Sequence, residues 1–295
     1  MTFVLAYALP SDPARVIAGP GASEADIDRI QAALGLGRPL PVTLLDQAAR
    51  TLSGDLGHSS NYDRDVLPLL LERLPATMEL AIAGLALGSV LGIALGVRAA
   101  GRPGRLSDTI AHAGSLALLA VPAFWLGNLL RYGLASMPQI DWGVTLFPIG
   151  GYRPLDPWYL ALPAATLALG VTAAYARLAR VLVRDELASD YVRTARAKGV
   201  GQRSVLLRHA LPNATPALLA QLGTDFGAFL GGVAIVEQVF DWPGVGRLAV
   251  EAIETGDIAL IMGTVLFAGF WVIVINVAID LFLTLWDPRV RLEGG

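Results

Sequence analysis

The residues best placed to do chemistry sit in one basic stretch, residues 190–212, which carries the chain's only lysine, Lys198, beside Arg193, Arg196, Arg203, Arg208 and His209. A segment of this kind suits the grip of a partner that supplies the chemistry. The lysine does not cradle a nucleotide phosphate. That loop reads Gly-x-x-x-x-Gly-Lys-Ser/Thr, and here Val192 and Ala197 stand in place of the glycines and Gly199 in place of the hydroxyl. No second lysine exists to try, so the chain by itself is not a P-loop ATPase. The chain has no cysteine, which removes disulfides, thiolate metal sites and cysteine nucleophiles. His58, His112 and His209 lie far apart in sequence without metal-ligand spacing. The sequence therefore offers no catalytic constellation and no metal site, and a net charge of −3 gives no sign of nucleic-acid binding.

A second set of candidates is ionisable or polar and lies in apolar surroundings, where such groups are costly and often functional. These are Arg131, Asp225, Glu237 and Asp280. Arg131 lies near the outer end of its expected span, where it could snorkel; Glu237 and Asp280 lie near span ends. Asp225 is the deep one, and Gln221, four residues earlier, shares its helix face. Asn276 and Asp280 form a similar pair. Two readings stand for these side chains: hydrogen bonds between helices, or places on a substrate path. Gly84, Gly88, Gly92 and Gly96 repeat every four residues, a small-residue stripe that lets another helix approach closely.

The elements that must position these residues are membrane helices. The chain is 54% hydrophobic and 16% charged, with mean hydropathy +0.57, where a soluble domain carries about 25% charged residues. The reading is an all-α membrane protein. Residues 1–10 look like the remnant of a first span, since eight apolar residues reach only about 12 Å and a crossing needs roughly 20. Residues 11–75 form an extracytoplasmic region with short helices. Ser23 caps one of them, Ile27, Ile30 and Leu34 follow at helical spacing, and Gly54-Asp55-Leu56-Gly57 is a turn. Five full spans are expected at about 76–97, 109–135, 159–183, 214–236 and 258–286. Pro75 opens the first and Pro122 kinks the second. Residues 137–157 read as a loop with interfacial Trp142 and Tyr152, followed by Trp158 and Tyr159 at the next span's edge. Residues 237–257 read as a polar outer loop containing Trp242-Pro243-Gly244, and 287–295 as the tail.

Arginine placement sets the orientation. Arg98, Arg102 and Arg105 follow the first full span, the region from Arg177 to Arg208 is densely basic, and Arg289 and Arg291 lie in the tail. The intervening loops hold Arg153 and Arg247. The basic loops and the C-terminus are thus expected in the cytoplasm. Within the loop 184–213, Ser189 and Asp190 are suited to cap a helix that runs to about Lys198 and is ended by Gly199 and Gly201. Ala195 and Ala197 leave room for close docking, and Pro212 breaks the chain before the next span.

This loop resembles the cytoplasmic loop of binding-protein-dependent ABC transporter permeases. Their pattern is Glu-Ala-Ala, three residues, Gly, nine residues, Ile, any residue, Leu-Pro. Here it reads Arg193-Thr194-Ala195, Gly199, His209 and Leu211-Pro212. The run from Tyr191 to Gly199 is similar to the variant of the dipeptide, oligopeptide and nickel permeases, of the first permease subunit type. Pro10-Ser11-Asp12-Pro13, Gly54 to Gly57, Arg73 to Leu80, Trp242 to Arg247 and Asp287 to Arg291 resemble further motifs of that subfamily in order. The resemblance implies the type I ABC importer transmembrane fold, in a multi-pass protein of the bacterial plasma membrane. It implies six spans, hence a first helix that begins upstream. It also implies a second, related permease subunit, two ABC ATPase subunits that hold ATP and Mg, and an extracytoplasmic solute-binding protein that delivers the ligand. This chain would bind no cofactor itself. Arg193, Thr194, Ala195, Arg196, Lys198, Gly199, His209, Leu211 and Pro212 would couple it to the ATPase. The expected cargo is a di- or oligopeptide, with nickel or a metal chelate as the alternative within the family. From other classes, an ion-coupled carrier using Asp225 and a membrane scaffold without transport remain open.

Overall fold

The computed structural model describes residues 49–51, 53–101, 113–115 and 117–286. The expected remnant helix at 1–10, the helix capped by Ser23, the loop arginines Arg102 and Arg105, and the tail lie outside the described residues. In order, the chain forms β1 (His58–Ser59), β2 (Arg64–Asp65), α1 (Val66–Ala100), α2 (Ala123–Arg131), a π turn (Tyr132–Ser136) and α3 (Met137–Trp142). It continues through α4 (Pro157–Leu187), α5 (Asp190–Ala197), α6 (Gln202–Ser204), a second π turn (Val205–Ala210), α7 (Leu211–Gly232), α8 (Ala234–Val239), α9 (Val245–Thr255) and α10 (Ile258–Trp286). Among the described residues, α1, α4 and the 258–279 part of α10 are long and apolar enough to cross a membrane. A helix over Ala113–Ala120, bent by 94° from Ala123–Trp142, would make a fourth span if the pair counts as one. The expected span 214–236 is helical through α7 but turns at Val233, and Thr215, Gln221, Thr224 and Asp225 make it less apolar than the others.

The chain divides into two compact units, one of residues 1–75 with 244–270 and the other of 76–243 with 271–295. In the first, Asp257 is the organising residue. It is 4% exposed and N-caps α10, one carboxylate oxygen accepting the Leu260 N–H at 3.0 Å. The other oxygen accepts Ser59 Oγ at 2.6 Å and the Asn61 N–H at 3.1 Å, which ties down the β1–β2 hairpin. Tyr62 Oη donates to Glu251 of α9 at 2.6 Å, and Arg247 donates to the same carboxylate at 2.9 Å. Burial pushes the Glu251 carboxyl up, but these two donors together hold it below its ordinary value. The expected polar loop 237–257 is therefore mostly helix.

In the second unit the glycine stripe does what its spacing predicts. Gly84 lies against Leu167, Gly88 against Val171, Gly92 against Tyr175 and Gly96 against Ala179. A methyl on Gly88 would stand 2.7 Å from the Ala168 carbonyl, and one on Gly92 2.7 Å from the Thr172 carbonyl. Thr172 Oγ1 also donates to the Gly88 carbonyl at 3.2 Å. The numbers rise together on both helices, so α1 and α4 run parallel. The chain must therefore return to the starting level between them. Against α10, Gly223 of α7 meets Ile279 and Gly227 meets Asn276, an antiparallel match.

Three prolines act differently from the expectation. Pro75 lies inside α1, which starts at Val66. It forfeits one bond to the Leu71 carbonyl, and a helix of 35 residues keeps the rest. Pro138 and Pro212 break nothing. Each follows a π turn by two residues, and the residue before it donates to the carbonyl five back, Met137 to Tyr132 and Leu211 to Leu206. Widening the turn moves the carbonyl that the proline ring would strike. Helix therefore runs unbroken over 123–142 and 202–232, where a loop and a break were expected. Pro122, at the N-cap of α2, does mark the sharp bend.

Two outcomes test this packing. Gly88→Val is expected to destabilise the protein by about 1–3 kcal/mol through overpacking, while Ala86→Val on an exposed position changes little; thermal unfolding in detergent measures both. The second concerns His58, whose Nδ1 lies 3.1 Å from Asp65 and Nε2 3.2 Å from Asp63. Only the imidazolium donates to both carboxylates. The Asp65 bond, then the Asp63 bond, hold the ring pKa above its ordinary value. The hairpin's stabilisation is then complete below the ordinary histidine value and lost as pH rises through the raised one. Hydrogen exchange of the 58–65 amides should quicken over that window, and His58→Gln should abolish the change.

Candidate coupling site

The candidate site grows from the ends of α1, α4 and α7. Val97 and Ala100 of α1, Val183 of α4, Ala210 of the second π turn and Ala214 of α7 form one buried cluster, with Leu206 and Leu211 packed on it. Because α1 and α4 are parallel, both end here, and α5 follows α4 directly. The short helix packs on the π turn. Val192 is its one fully buried side chain, at 0% exposure. The remaining face is open: Arg193, Thr194, Arg196, Ala197, Lys198 and Gly199 are exposed, and Ala195 is half-buried.

The start of α5 is made by the backbone. The Ser189 carbonyl accepts the N–H groups of Val192 and Arg193 at 3.2 and 3.3 Å, and its hydroxyl makes no cap. The expected side-chain cap is thus replaced, because Ser189 Oγ faces back toward the Asp185 carbonyl of α4. Asp190 in the first turn suits the positive end of the helix dipole. Its ion pair with Arg193 at 3.3 Å is exposed on both sides and worth little.

The end of α5 is a Schellman motif. Gly199 N–H donates to the Arg196 carbonyl at 2.9 Å, and Val200 N–H to the Ala195 carbonyl at 3.1 Å. Gly199 has φ +81°, the left-handed region. No atom lies within 4 Å of a Cβ built on it, so conformation alone demands glycine here. Gly201 has extended backbone and starts α6 instead of ending α5. Leu211 and Pro212 open α7 beyond the π turn that contains His209. The result is a rigid eight-residue helix with both ends fixed by backbone bonds, presenting Arg193, Arg196 and Lys198 outward.

The other candidates separate. Asp225 accepts Tyr175 Oη of α4 at 2.7 Å and Gln221 Nε2 at 2.8 Å, so its carboxylate joins two helices. Asn276 donates to the Val272 carbonyl of its own helix at 2.8 Å. Its amide sits against Gly227, too close for any larger residue there. The side chain of Asp280 lies outside the described residues. Arg131 is well inside the helix that runs to Trp142, further from its end than expected, and donates to the Val239 carbonyl at the end of α8. Trp242 is buried completely, donating its indole N–H to the Ala76 carbonyl at 2.8 Å with the Tyr152 ring edge-on at 4.7 Å. Pro243 follows it, and Gly244 is the N-cap position of α9. The Trp-Pro-Gly segment is an anchor as much as a loop. Sequence reasoning missed Glu237 as a core residue: it is 0% exposed and accepts Thr77 Oγ1 at 2.7 Å. It also missed Glu79, which holds Tyr152 Oη at 3.0 Å and the Leu155 N–H at 3.1 Å. Burial, with Glu79 beside it, pushes the Tyr152 hydroxyl up to about 12. No group of His, Cys, Asp or Glu among the described residues is arranged to hold a metal.

The comparisons agree with this layout. The model for the binding-protein-dependent transport system inner membrane component matches residues 88–292. The model for the N-terminal part of such membrane components matches residues 1–81. A putative peptide transport system permease protein of Brucella abortus is 40% identical, over 99% of this chain and 93% of its own. The glutathione transport system permease protein GsiC of Pectobacterium atrosepticum is 36% identical, over 99% of this chain and 93% of its own. In fold, the chain resembles the MetNI methionine ABC transporter in inward-facing conformation, with TM-score 0.60 and 19% identity over 75% of this chain and 98% of that one. It also resembles an amino acid ABC transporter, with TM-score 0.51 and 17% identity over 75% and 94%.

The Schellman end gives a graded test. Gly199→Ala should destabilise the end of α5 by about 1–2 kcal/mol, and Gly199→Asn by less, since asparagine tolerates the left-handed region. Hydrogen exchange at Val200, whose N–H closes the motif, reads the order Gly, Asn, Ala.

Proposed function

The chain belongs to the family of binding-protein-dependent transport system inner membrane components, the permeases of ABC importers, and from that premise we propose that it carries peptides. It is a transport subunit and not itself an enzyme. It forms half of a passage whose other half is a second, related permease. Two ATPase subunits, which hold ATP and Mg, dock on α5 from the cytoplasm. A solute-binding protein delivers a di- or oligopeptide from outside, and the C-terminus lies in the cytoplasm.

The observation that carries this reading is the coupling helix. With Val192 buried it packs on the π turn, whose Ala210 joins the ends of α1, α4 and α7, and its exposed face offers Arg193, Arg196 and Lys198 to an acidic groove. A docked partner that moves this helix moves the ends of three long helices with it. Similarity to peptide-transport permeases along 99% of the chain supports the substrate class. Asp225 has both carboxylate oxygens engaged by Tyr175 and Gln221, which favours a structural bond over an ion-carrying site.

The test is reconstitution of the permease pair with its ATPase subunits and binding protein in proteoliposomes. ATP-dependent uptake of labelled peptide, with no uptake of nickel salts, is expected. Replacing Gly199 with a bulky residue should abolish uptake while the partner still binds ATP. Uptake driven by an ion gradient without ATP would overturn the reading.

A further inference from the structure

Tyr191 is the second residue of α5, and its hydroxyl lies where three helices converge. It donates to Glu186 Oε2, in the last turn of α4, at 2.6 Å. The same hydroxyl also reaches the His209 carbonyl, at 3.5 Å, on the π turn that continues without a break into α7. The Asn213 side chain, in the first turn of α7, lies beside it. One phenol proton thus faces acceptors on both helices, the nearer on α4. The bond to Glu186 is charge-assisted, the stronger kind. Burial and the Glu186 carboxylate keep the hydroxyl protonated by raising its pKa, with Asn213 opposing weakly.

The other attachments of α5 differ in kind. Val192 seats the helix by burial, which has no direction. The Asp190–Arg193 pair stays within α5 and is exposed. The backbone bonds at each end lie along the chain. Among the described residues of α5, Tyr191 is the one whose side-chain bonds reach both α4 and the turn that leads into α7. We infer that Tyr191 is the transmission joint of this permease: its hydroxyl clasps Glu186 and the His209 carbonyl, so that a displacement of α5 reaches α4 and α7 together.

This inference rests on the coupling reading above, and it makes Tyr191 a positioning residue. The reconstituted transporter, with both permeases, ATPase subunits and binding protein, measures ATP hydrolysed per peptide imported. Tyr191→Phe keeps the ring and removes the joint; the ratio should rise several-fold while ATPase copurification stays at the wild-type level. Glu186→Ala should do the same, and the double variant should be no worse than either single one. Glu186→Gln keeps an acceptor and should restore most of the coupling. A wild-type ratio in Tyr191→Phe overturns the joint. So does loss of the ATPase from that variant, which would make Tyr191 a docking or folding residue. If the wild-type protein neither copurifies with an ATPase nor imports peptide with ATP, the coupling reading itself falls, an outcome distinct from the other two.

Discussion

The structure depends on the close approach of α1 and α4. Four glycines on one helix remove the side chains that would otherwise hold the axes apart, and the Thr172 hydroxyl reaches the Gly88 carbonyl across the gap. In lipid no hydrophobic force drives helices together, so contact area and such bonds must do it. The approach is parallel, and everything downstream follows from that. Both helices end at the same level, the chain between them must return to the starting level, and the loop after α4 emerges beside the end of α1. The cluster of Val97, Ala100, Val183, Ala210 and Ala214 then forms where these helix ends meet, and α5 packs on the adjoining π turn.

Polar groups inside this apolar frame are handled by pairing. Asp225 takes Tyr175 and Gln221, and Glu237 takes Thr77. The Trp242 indole takes the Ala76 carbonyl. An unpaired polar group in hydrocarbon costs several kcal/mol, of order the net stability of a domain. Apart from Gln221, which lies on the same helix as Asp225, the partners are distant in sequence, so these bonds specify which helix meets which. The coupling helix is treated in the opposite way. Its cations are left exposed and its ends are closed by backbone bonds, which leaves a stiff surface with free charge.

The two π turns belong to the same logic. A proline in a helix removes one donor and crowds the carbonyl four residues back. At Pro138 and Pro212 the helix relieves this by opening one turn instead of stopping. The second such turn lies under α5, and its carbonyl at His209 faces Tyr191. The widened turn keeps the rod continuous where a tighter one would strike the proline ring.

Much of this was written in the chain. Apolar runs marked α1, α4 and α10 as long enough to cross a membrane, the four-residue glycine spacing marked the packing face of α1, and Gly199 marked the end of α5, because only glycine enters the left-handed region at no steric penalty. The absence of a nucleotide-binding lysine excluded ATP hydrolysis by that route, and the Asp225–Gln221 pairing was visible from their spacing. Other features belong to tertiary structure alone. Proline reads as a break in sequence, and whether a helix stops or widens depends on what packs around it. Ser189 looked like a side-chain cap, but its carbonyl took that role. Trp242 read as part of a polar outer loop and Tyr152 as interfacial, yet partners far along the chain, Ala76 and Glu79, engage them. Glu186, Tyr191 and Asn213 carry no joint pattern in sequence. They lie together because α7 runs back along α4, where Tyr175 of one helix bonds Asp225 of the other.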